Sequence, residues 1–484
     1  MNVKAVTRNV GLALLVSSLF MLLSVVVSVI YGRDSAFGAL SISCIITALF
    51  GIFPLIFVRK SQPISLQDGF VIIALSWLLS FVFGMLPYAM WGGEMSIVDA
   101  WFESVSGFTT TGATILNDIE SLPRSLLFWR SCTHFIGGLG VVVFMLLIVP
   151  SASPFRQRLT KIEVSSLFRD SANIQSRKLV YIITFVYLGI FLLATVSLFL
   201  AGMPLFDAIN HGLSLCATGG FSIRNASIAA YDSVAVNAVA LLTMIIATTN
   251  FVLIYSCVIR RSFKPFTSSH TVRFYLTSML VTSVIVVLSL RFQGNGMSWD
   301  KAISDGFLTT VSYMTTTGFT FADNSAWPFL SCIVLMYVSI QCATAGSTSS
   351  GIKVDRMMVV FKSIHRQILS NLHPAATGRI RLGSSYMPED HVLPILLYIV
   401  LYFLIIMLST GLLLTLGVGG IEAVSGSIAC LGNVGPGLGG ISAAGNYDAM
   451  PVAAKLIFTL DMYLGRIEIY PLLIAVTLIF KRDK

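Results

Sequence analysis

Long apolar runs alternate with short polar connections from one end of this chain to the other. Nine of them, near 9–30, 36–58, 69–91, 126–150, 179–201, 234–259, 272–291, 391–416 and 452–480, meet the roughly 20 helical residues needed to cross a hydrocarbon core about 30 Å thick. A tenth, 328–360, has the length but is interrupted in its middle. The pattern predicts ten membrane-spanning helices. Lys4 and Arg8 precede the first run as they would in a secretory signal, but the run outlasts a signal's apolar region and no A-x-A site follows. It is expected to remain as a spanning helix.

A second pattern lies in four of the polar connections. Asp99–Thr114, Asp207–Ser222, Asp305–Thr320 and Glu422–Gly437 are moderately apolar stretches, too short to span, that end in small residues around a glycine. They align without a gap. In each, the acid precedes the aligned glycine (Gly112, Gly220, Gly318, Gly435) by thirteen positions. Thirteen residues at about 1.5 Å each make a helix of roughly 20 Å, which enters a membrane without crossing it. The acid suits the helix N-terminus, and the partly negative C-terminus would be turned toward a cation. The backbone must then reverse with its carbonyls turned inward, which calls for glycine. Non-helical backbone at that depth persists only where it lines a water-filled cavity or is buried in protein. Rings of carbonyl oxygens of this kind replace the hydration shell of a cation.

The expected fold is therefore an all-α integral membrane protein of ten transmembrane helices plus four re-entrant pore helices. A two-helix N-terminal unit (1–66) precedes four pseudo-symmetric repeats of helix, pore loop and helix around one ion pathway: 67–170, 171–265, 266–385 and 386–484.

Composition agrees. Of 484 residues 56% are hydrophobic and 11% charged, against about 45–50% and about 25% in soluble chains. A net charge of +9 raises nucleic acid as a partner, but the basic residues occupy alternate connections instead. Lys4 and Arg8 open the chain, and Arg59 and Lys60 follow the second run. Arg156, Arg158, Lys161, Arg169, Arg177 and Lys178 fill one connection, and Arg260, Arg261, Lys264 and Arg273 another. Lys353, Arg356, Lys362, Arg366, Arg379 and Arg381 accompany the interrupted run, and Lys481, Arg482 and Lys484 end the chain. By the positive-inside rule this side, with both termini, is cytoplasmic. Glu94, Asp99, Asp118, Glu120, Asp207, Asp232, Asp305, Asp323, Glu422 and Asp448 mark the other face, where acids raise the local cation concentration. The seven cysteines are dispersed and no H-x-x-x-H occurs, which disfavours a disulfide frame or a transition-metal centre.

Four pore loops with one phased glycine each, together with the runs FESVSGFTTTGAT, GMPLFDAIN, TTTGFT, GNVGPGLG and LGRIEIYPLL, resemble the Trk/Ktr/HKT superfamily of potassium transporters, specifically its bacterial TrkH/TrkG-type membrane subunit. The resemblance covers almost the whole chain. It implies potassium uptake across a bacterial inner membrane by a homodimer, each protomer with its own pore, gated by a cytosolic TrkA-like ring of RCK domains. Any nucleotide would sit on that ring, with no cofactor in this chain. It implies a selectivity filter at Thr110, Thr111 and Gly112, at Thr218, Gly219 and Gly220, at Thr316, Thr317 and Gly318, and at Asn433, Val434 and Gly435. Potassium binds there as substrate, and Gly112 goes with potassium rather than sodium preference.

The interruption reads Ala343–Lys353, small, polar and glycine-rich, as in a broken helix beside an aqueous path. Resemblance makes its residues Ala345, Gly346, Ser347, Thr348, Ser349, Ser350, Gly351 and Lys353 a gate below the filter. Asp461, Arg466 and Glu468 stand in the last apolar run. A charge at a helix centre costs about 2.5–3.5 kcal/mol on insertion scales, so it faces a cavity or a partner. Resemblance makes Arg466 an electrostatic barrier that contacts the gate loop; a structural ion pair is the other reading. The basic stretch Arg156–Lys178 offers a docking site for a cytosolic partner, although topology alone also explains it. Two other functions compete with a channel-like pore: a symporter coupling potassium to protons or sodium through Asp461 or Glu468, and an intramembrane enzyme using Ser347–Ser350. The enzyme lacks a G-x-S-x-G and any assignable orienting pair.

Overall fold

The computed structural model describes residues 2–58, 64–93, 95–148, 176–294, 296–373, 380–382, 385–387 and 389–480. Arg59, Lys60, Glu94, Arg156, Arg158, Lys161, Arg169, Arg379, Lys481, Arg482 and Lys484 lie outside these residues, as do most of the basic docking stretch and the expected boundary at 170–171.

Helix dominates. The one strand pairing among the described residues is Arg381–Leu382 antiparallel to Ser385–Tyr386, a small departure from the all-α expectation in the connection that leads into the fourth repeat. Val3–Ile30 and Phe37–Phe57 form the N-terminal hairpin. They approach where Gly11 and Gly51 face each other's carbonyl oxygens, the close backbone contact that small residues permit between membrane helices.

After the hairpin, one order recurs four times. Leu66–Gly84 with Leu86–Trp91 leads to the short helix Ile97–Phe108 and then to Arg124–Ile148. Ser176–Leu200 leads to Leu205–Cys216 and then to Val234–Ala247 with Phe251–Arg260. His270–Gln293 leads to Trp299–Met314 and then to Phe329–Gln341 with Val354–Leu372. Glu389–Thr415 leads to Gly420–Leu431 and then to Val452–Arg466 with Tyr470–Phe480.

Among the described residues, six helices are long and apolar enough to cross a bilayer: Val3–Ile30, Phe37–Phe57, Gln67–Trp91, Val180–Leu200, His270–Gln293 and His391–Thr415. The expected unbroken spans 234–259 and 452–480 are interrupted. Val234–Ala247 and Phe251–Arg260 meet at 100°. Their junction Thr248-Thr249-Asn250 starts a new helix because the Asn250 carboxamide accepts from the backbone N–H groups of Val252 and Leu253. The last run breaks at Glu468 and Ile469, both at positive φ. Phe50, Phe53, Leu192, Phe199, Met407 and Leu408 stand exposed on the long helices, an apolar exterior suited to lipid rather than water.

Candidate functional site

Each short helix ends in the same backbone sequence of states. Thr109, Ala217, Thr315 and Gly432 keep helical angles, and the next residue turns left-handed: Thr110 at φ +54°, Thr218 at +53°, Thr316 at +55° and Asn433 at +51°. The left-handed residue donates back three positions, and its successor donates back five. Thus Thr110 N–H reaches Gly107 O and Thr111 N–H reaches Ser106 O, with the same pair at Thr218 and Gly219, Thr316 and Thr317, and Asn433 and Val434. This is a Schellman C-cap, normally built on glycine. Here threonine takes that place three times, and hydroxyl pairs support two of the turns, Thr109 with Thr111 at 2.7 Å and Thr315 with Thr317 at 2.9 Å.

Two residues further on, Gly112 (φ +80°), Gly220 (+82°), Gly318 (+69°) and Gly435 (+97°) turn left-handed again. A Cβ on Gly112 would strike the carbonyl oxygen of Gly219. One on Gly220 would strike that of Thr317, on Gly318 that of Val434, and on Gly435 that of Thr111. The four contacts run from repeat 1 to 2, 2 to 3, 3 to 4 and 4 back to 1. They close a ring. All four glycines also line one cavity of about 150 Å³, with Thr114, Ser222, Thr320, Pro436 and Tyr447 on its walls. Of the twelve residues expected from sequence, the four glycines and the carbonyls of Thr111, Gly219, Thr317 and Val434 thus meet in one ring, and Thr110, Thr218, Thr316 and Asn433 form the turns that lead into it from four helix C-termini, each carrying about half a negative charge.

The phased acids sit otherwise than expected in one repeat. Asp99, Asp207 and Glu422 occupy the first turn of their helices, but Trp299–Met314 begins a turn earlier, so its first-turn acid is Asp300 and Asp305 lies within the helix. The first-turn acids serve as cross-links. Lys455 donates to Asp99 at 2.6 Å, Arg224 and Tyr231 donate to Asp207 at 3.1 and 2.7 Å, and the Gly440 N–H donates to Glu422.

Below the ring, Cys342–Lys353 forms a buried loop with positive φ at Cys342, Gly346, Gly351 and Lys353. It touches repeats 2 and 4 directly and is linked to repeat 1 through Arg466. Thr218 and Thr348 hydroxyls meet at 3.3 Å, which puts the loop next to the strand that leads to Gly220. Thr344 and Thr348 donate to the carbonyls of Thr248 and Ala247, Asn250 donates to Ala345 O, and Phe251 N–H donates to Gly346 O, so the helix break in repeat 2 grips the loop. Arg466, 2% exposed, donates to Thr348 O, to Ser350 Oγ and to Gly137 O of repeat 1, each at 3.0 Å. Its described hydrogen bonds go to the loop and the backbone, none to a carboxylate. The carboxylate of Glu468 instead accepts from Lys353 at 2.5 Å and from Arg356 at 2.7 Å. Asp461 lies apart from both and accepts from Ser409 at 2.6 Å.

The chain matches the family model TrkH, described as a cation transport protein, over residues 39–484. It belongs to the TrkH family. Among relatives of this TrkH-family chain, the Trk system potassium uptake protein TrkH of Salmonella typhimurium is 32% identical, with both chains covered in full. The Trk system potassium uptake protein TrkG of Escherichia coli K12 is also 32% identical, over 100% of this chain and 99% of its own. The crystal structure of the potassium transporter TrkH from Vibrio parahaemolyticus superposes with a TM-score of 0.88 at 29% identity, each chain covered completely. These relatives are named as transporters, not enzymes.

Sequence reasoning missed one charged pair beside the ring. Glu103 and Arg130, 0% and 1% exposed, meet at 2.7 Å. A signal was present, since each is a charge inside an apolar or pore-loop stretch, where burial demands a partner. Their separation of 27 positions gave no local spacing to recognise.

Proposed function

We propose that this chain is the pore-forming membrane subunit of a Trk-type potassium uptake system in a bacterial inner membrane, with ten crossings, four re-entrant pore helices and both termini cytoplasmic. One observation carries the reading: four glycines from four repeats line one cavity, each against a carbonyl of the next repeat in a closed cycle. Carbonyls held at that spacing replace the water around a dehydrated cation, and four helix C-termini favour its charge. Thr110, Thr111, Gly112, Thr218, Gly219, Gly220, Thr316, Thr317, Gly318, Asn433, Val434 and Gly435 form the filter. Transport requires no bond chemistry and no cofactor in the chain.

The loop Ala345–Lys353 with Arg466 is the gate. Its hydrogen bonds to repeats 1, 2 and 4 support this, as does the positive charge of Arg466 held beneath the ring without a carboxylate among its described partners. Asp355, at the start of Val354–Leu372, accepts from the Ala345 N–H at 2.8 Å. A force on that amphipathic helix from a cytosolic RCK-type ring reaches the loop directly. The homodimer, the TrkA-like partner and its nucleotide follow from the family resemblance.

Flux into liposomes from the purified chain, across lithium, sodium, potassium and rubidium, tests the reading. Arg466→Ala is run beside the wild type so that a closed gate is not mistaken for an absent pore. Potassium and rubidium are expected to enter ahead of sodium and lithium. Equal entry of all four, or none through either protein, rejects the filter.

A further inference from the structure

A carbonyl filter tells potassium from smaller sodium only if its oxygens keep their separation, so something behind the strands must hold them. Among the contacts that hold the strands of repeats 1 and 2, one ion pair reaches both. Glu103 projects from the middle of the helix Ile97–Phe108, and Arg130 from the next helix, Arg124–Ile148. The carboxylate accepts from the Thr114 hydroxyl at 3.0 Å and from the Ile115 N–H at 3.3 Å, just past Gly112. The guanidinium donates to the Ser222 carbonyl at 2.9 Å and stacks over the Phe221 ring at 4.0 Å, just past Gly220. Phe221 also stacks on His134, at 4.1 Å and 15°. One ion pair thus grips the strand that follows each of two filter glycines.

Among the described residues, no second ion pair occupies the aligned positions around the ring. The positions aligned with Glu103 are His211, Thr309 and Gly426. His211 hydrogen-bonds the Asp207 carbonyl and the Ser222 hydroxyl and stacks on Phe319 just past Gly318, without an ion pair among these contacts. Removing two charges from water is a poor way to gain stability, but the pair's fixed geometry specifies one arrangement among competitors. Strand 1 is also wedged between its neighbours, with Gly112 against Gly219 O and Gly435 against Thr111 O, so a shift of one strand is transmitted to the ring.

We propose that Glu103 and Arg130 are positioning residues that lock the first and second filter strands in register and thereby set discrimination between potassium and sodium. The inference rests on the pathway reading above. Neither residue belongs to the ring of carbonyls, although Arg130 reaches the wall of the same cavity; each acts on the strands through Thr114, Ile115, Phe221 and Ser222.

The experiment measures potassium and sodium uptake by the full-length chain in liposomes for the wild type, Glu103→Gln and Arg130→Lys. Lys455→Gln serves as the control. It breaks a comparable ion pair with Asp99 at the outer end of the same short helix, away from the ring. Outer-shell partners of metal ligands typically cost about 10–100-fold in affinity or activity when altered, and a comparable effect on the first two strands falls on the ratio of the two ions. Glu103→Gln and Arg130→Lys are therefore expected to lower the potassium-to-sodium ratio at least about tenfold, through faster sodium entry. Lys455→Gln is expected to lower the melting temperature and keep the ratio. A purely structural pair would lower stability alone, so folded Glu103→Gln and Arg130→Lys proteins with the wild-type ratio overturn the proposal. If neither folds, Thr114→Val decides, because it leaves the ion pair and removes only a hydroxyl the pair grips; an unchanged ratio there overturns it equally. A wild type that admits both ions equally overturns the pathway reading instead.

Discussion

Threonine at positive φ is uncommon because its branched Cβ crowds the backbone, and the left-handed state costs roughly 1–2 kcal/mol per residue. Thr110, Thr218 and Thr316 all adopt it, held by the paired C-cap hydrogen bonds. Asn433 fills the same position in the fourth repeat, with its carboxamide donating to Thr111 Oγ1 and Met462 O. The glycines two residues later were legible in sequence, since only glycine enters that region freely and the thirteen-residue phase fixed which ones mattered. The strained threonines were not, because nothing in threonine announces a left-handed turn. This yields opposite expectations for neighbouring residues. Thr316→Asn, a change to the residue type already used in repeat 4, should keep potassium uptake and the potassium-to-sodium ratio. Gly220→Ser should lose discrimination, because its Cβ combines a φ of +82° with a collision against the Thr317 carbonyl. Relative uptake of the two ions in cells lacking other potassium systems checks both. Retained discrimination in Gly220→Ser would remove the second strand from the filter.

At the scale of elements, hydropathy gave the long helices and the short ones between them, but it treated the second helix of repeats 2 and 4 as continuous. A window average cannot sense a break made by two or three residues. The Asn250 cap and the left-handed pair Glu468 and Ile469 leave the apolar composition unchanged. The break in repeat 3 was visible because ten of the eleven residues Ala343–Lys353 are small or polar where apolar ones would continue the span. Structurally these interruptions cooperate, since Asn250 both starts its helix and donates to the loop, while Arg466 ends its own and donates to the same loop. Arg466→Ala should therefore raise potassium flux in liposomes that contain no partner ring. Asn250→Ala loses a cap worth about 0.5–2 kcal/mol as well as a loop tether, so it should raise flux too, with a lower melting temperature. Lower or unaltered flux from well-folded Arg466→Ala would exclude the loop as the obstruction it relieves.

The whole molecule is closed by bonds between repeats as much as by helix packing. Asp99 with Lys455 joins repeats 1 and 4, Lys353 with Glu468 joins 3 and 4, Arg224 with Glu120 joins 2 and 1, and the Thr320 hydroxyl reaches Ala443 O across 3 and 4. Closure of this kind decides what the protein can couple to. A symporter needs a titratable group near mid-membrane that exchanges its proton or ion during the cycle. Glu468 is engaged by two cations, and neutralising it would take from the buried Lys353 ammonium its carboxylate partner, at a cost of about 3–5 kcal/mol. Asp461 is the other acid, 1% exposed, bonded to Ser409, with its second oxygen lacking a hydrogen-bond partner among the described residues. It is not among the residues that line the cavity of the glycine ring, and its described hydrogen bond goes to Ser409 rather than to the loop. In liposomes under opposed potassium and proton gradients, the reversal potential should follow potassium alone, and Asp461→Asn should leave it in place. A reversal potential that moves with the proton gradient and loses that movement in Asp461→Asn would make the chain a coupled carrier. The ring of four glycines would then be a binding site on a cycle rather than an open filter.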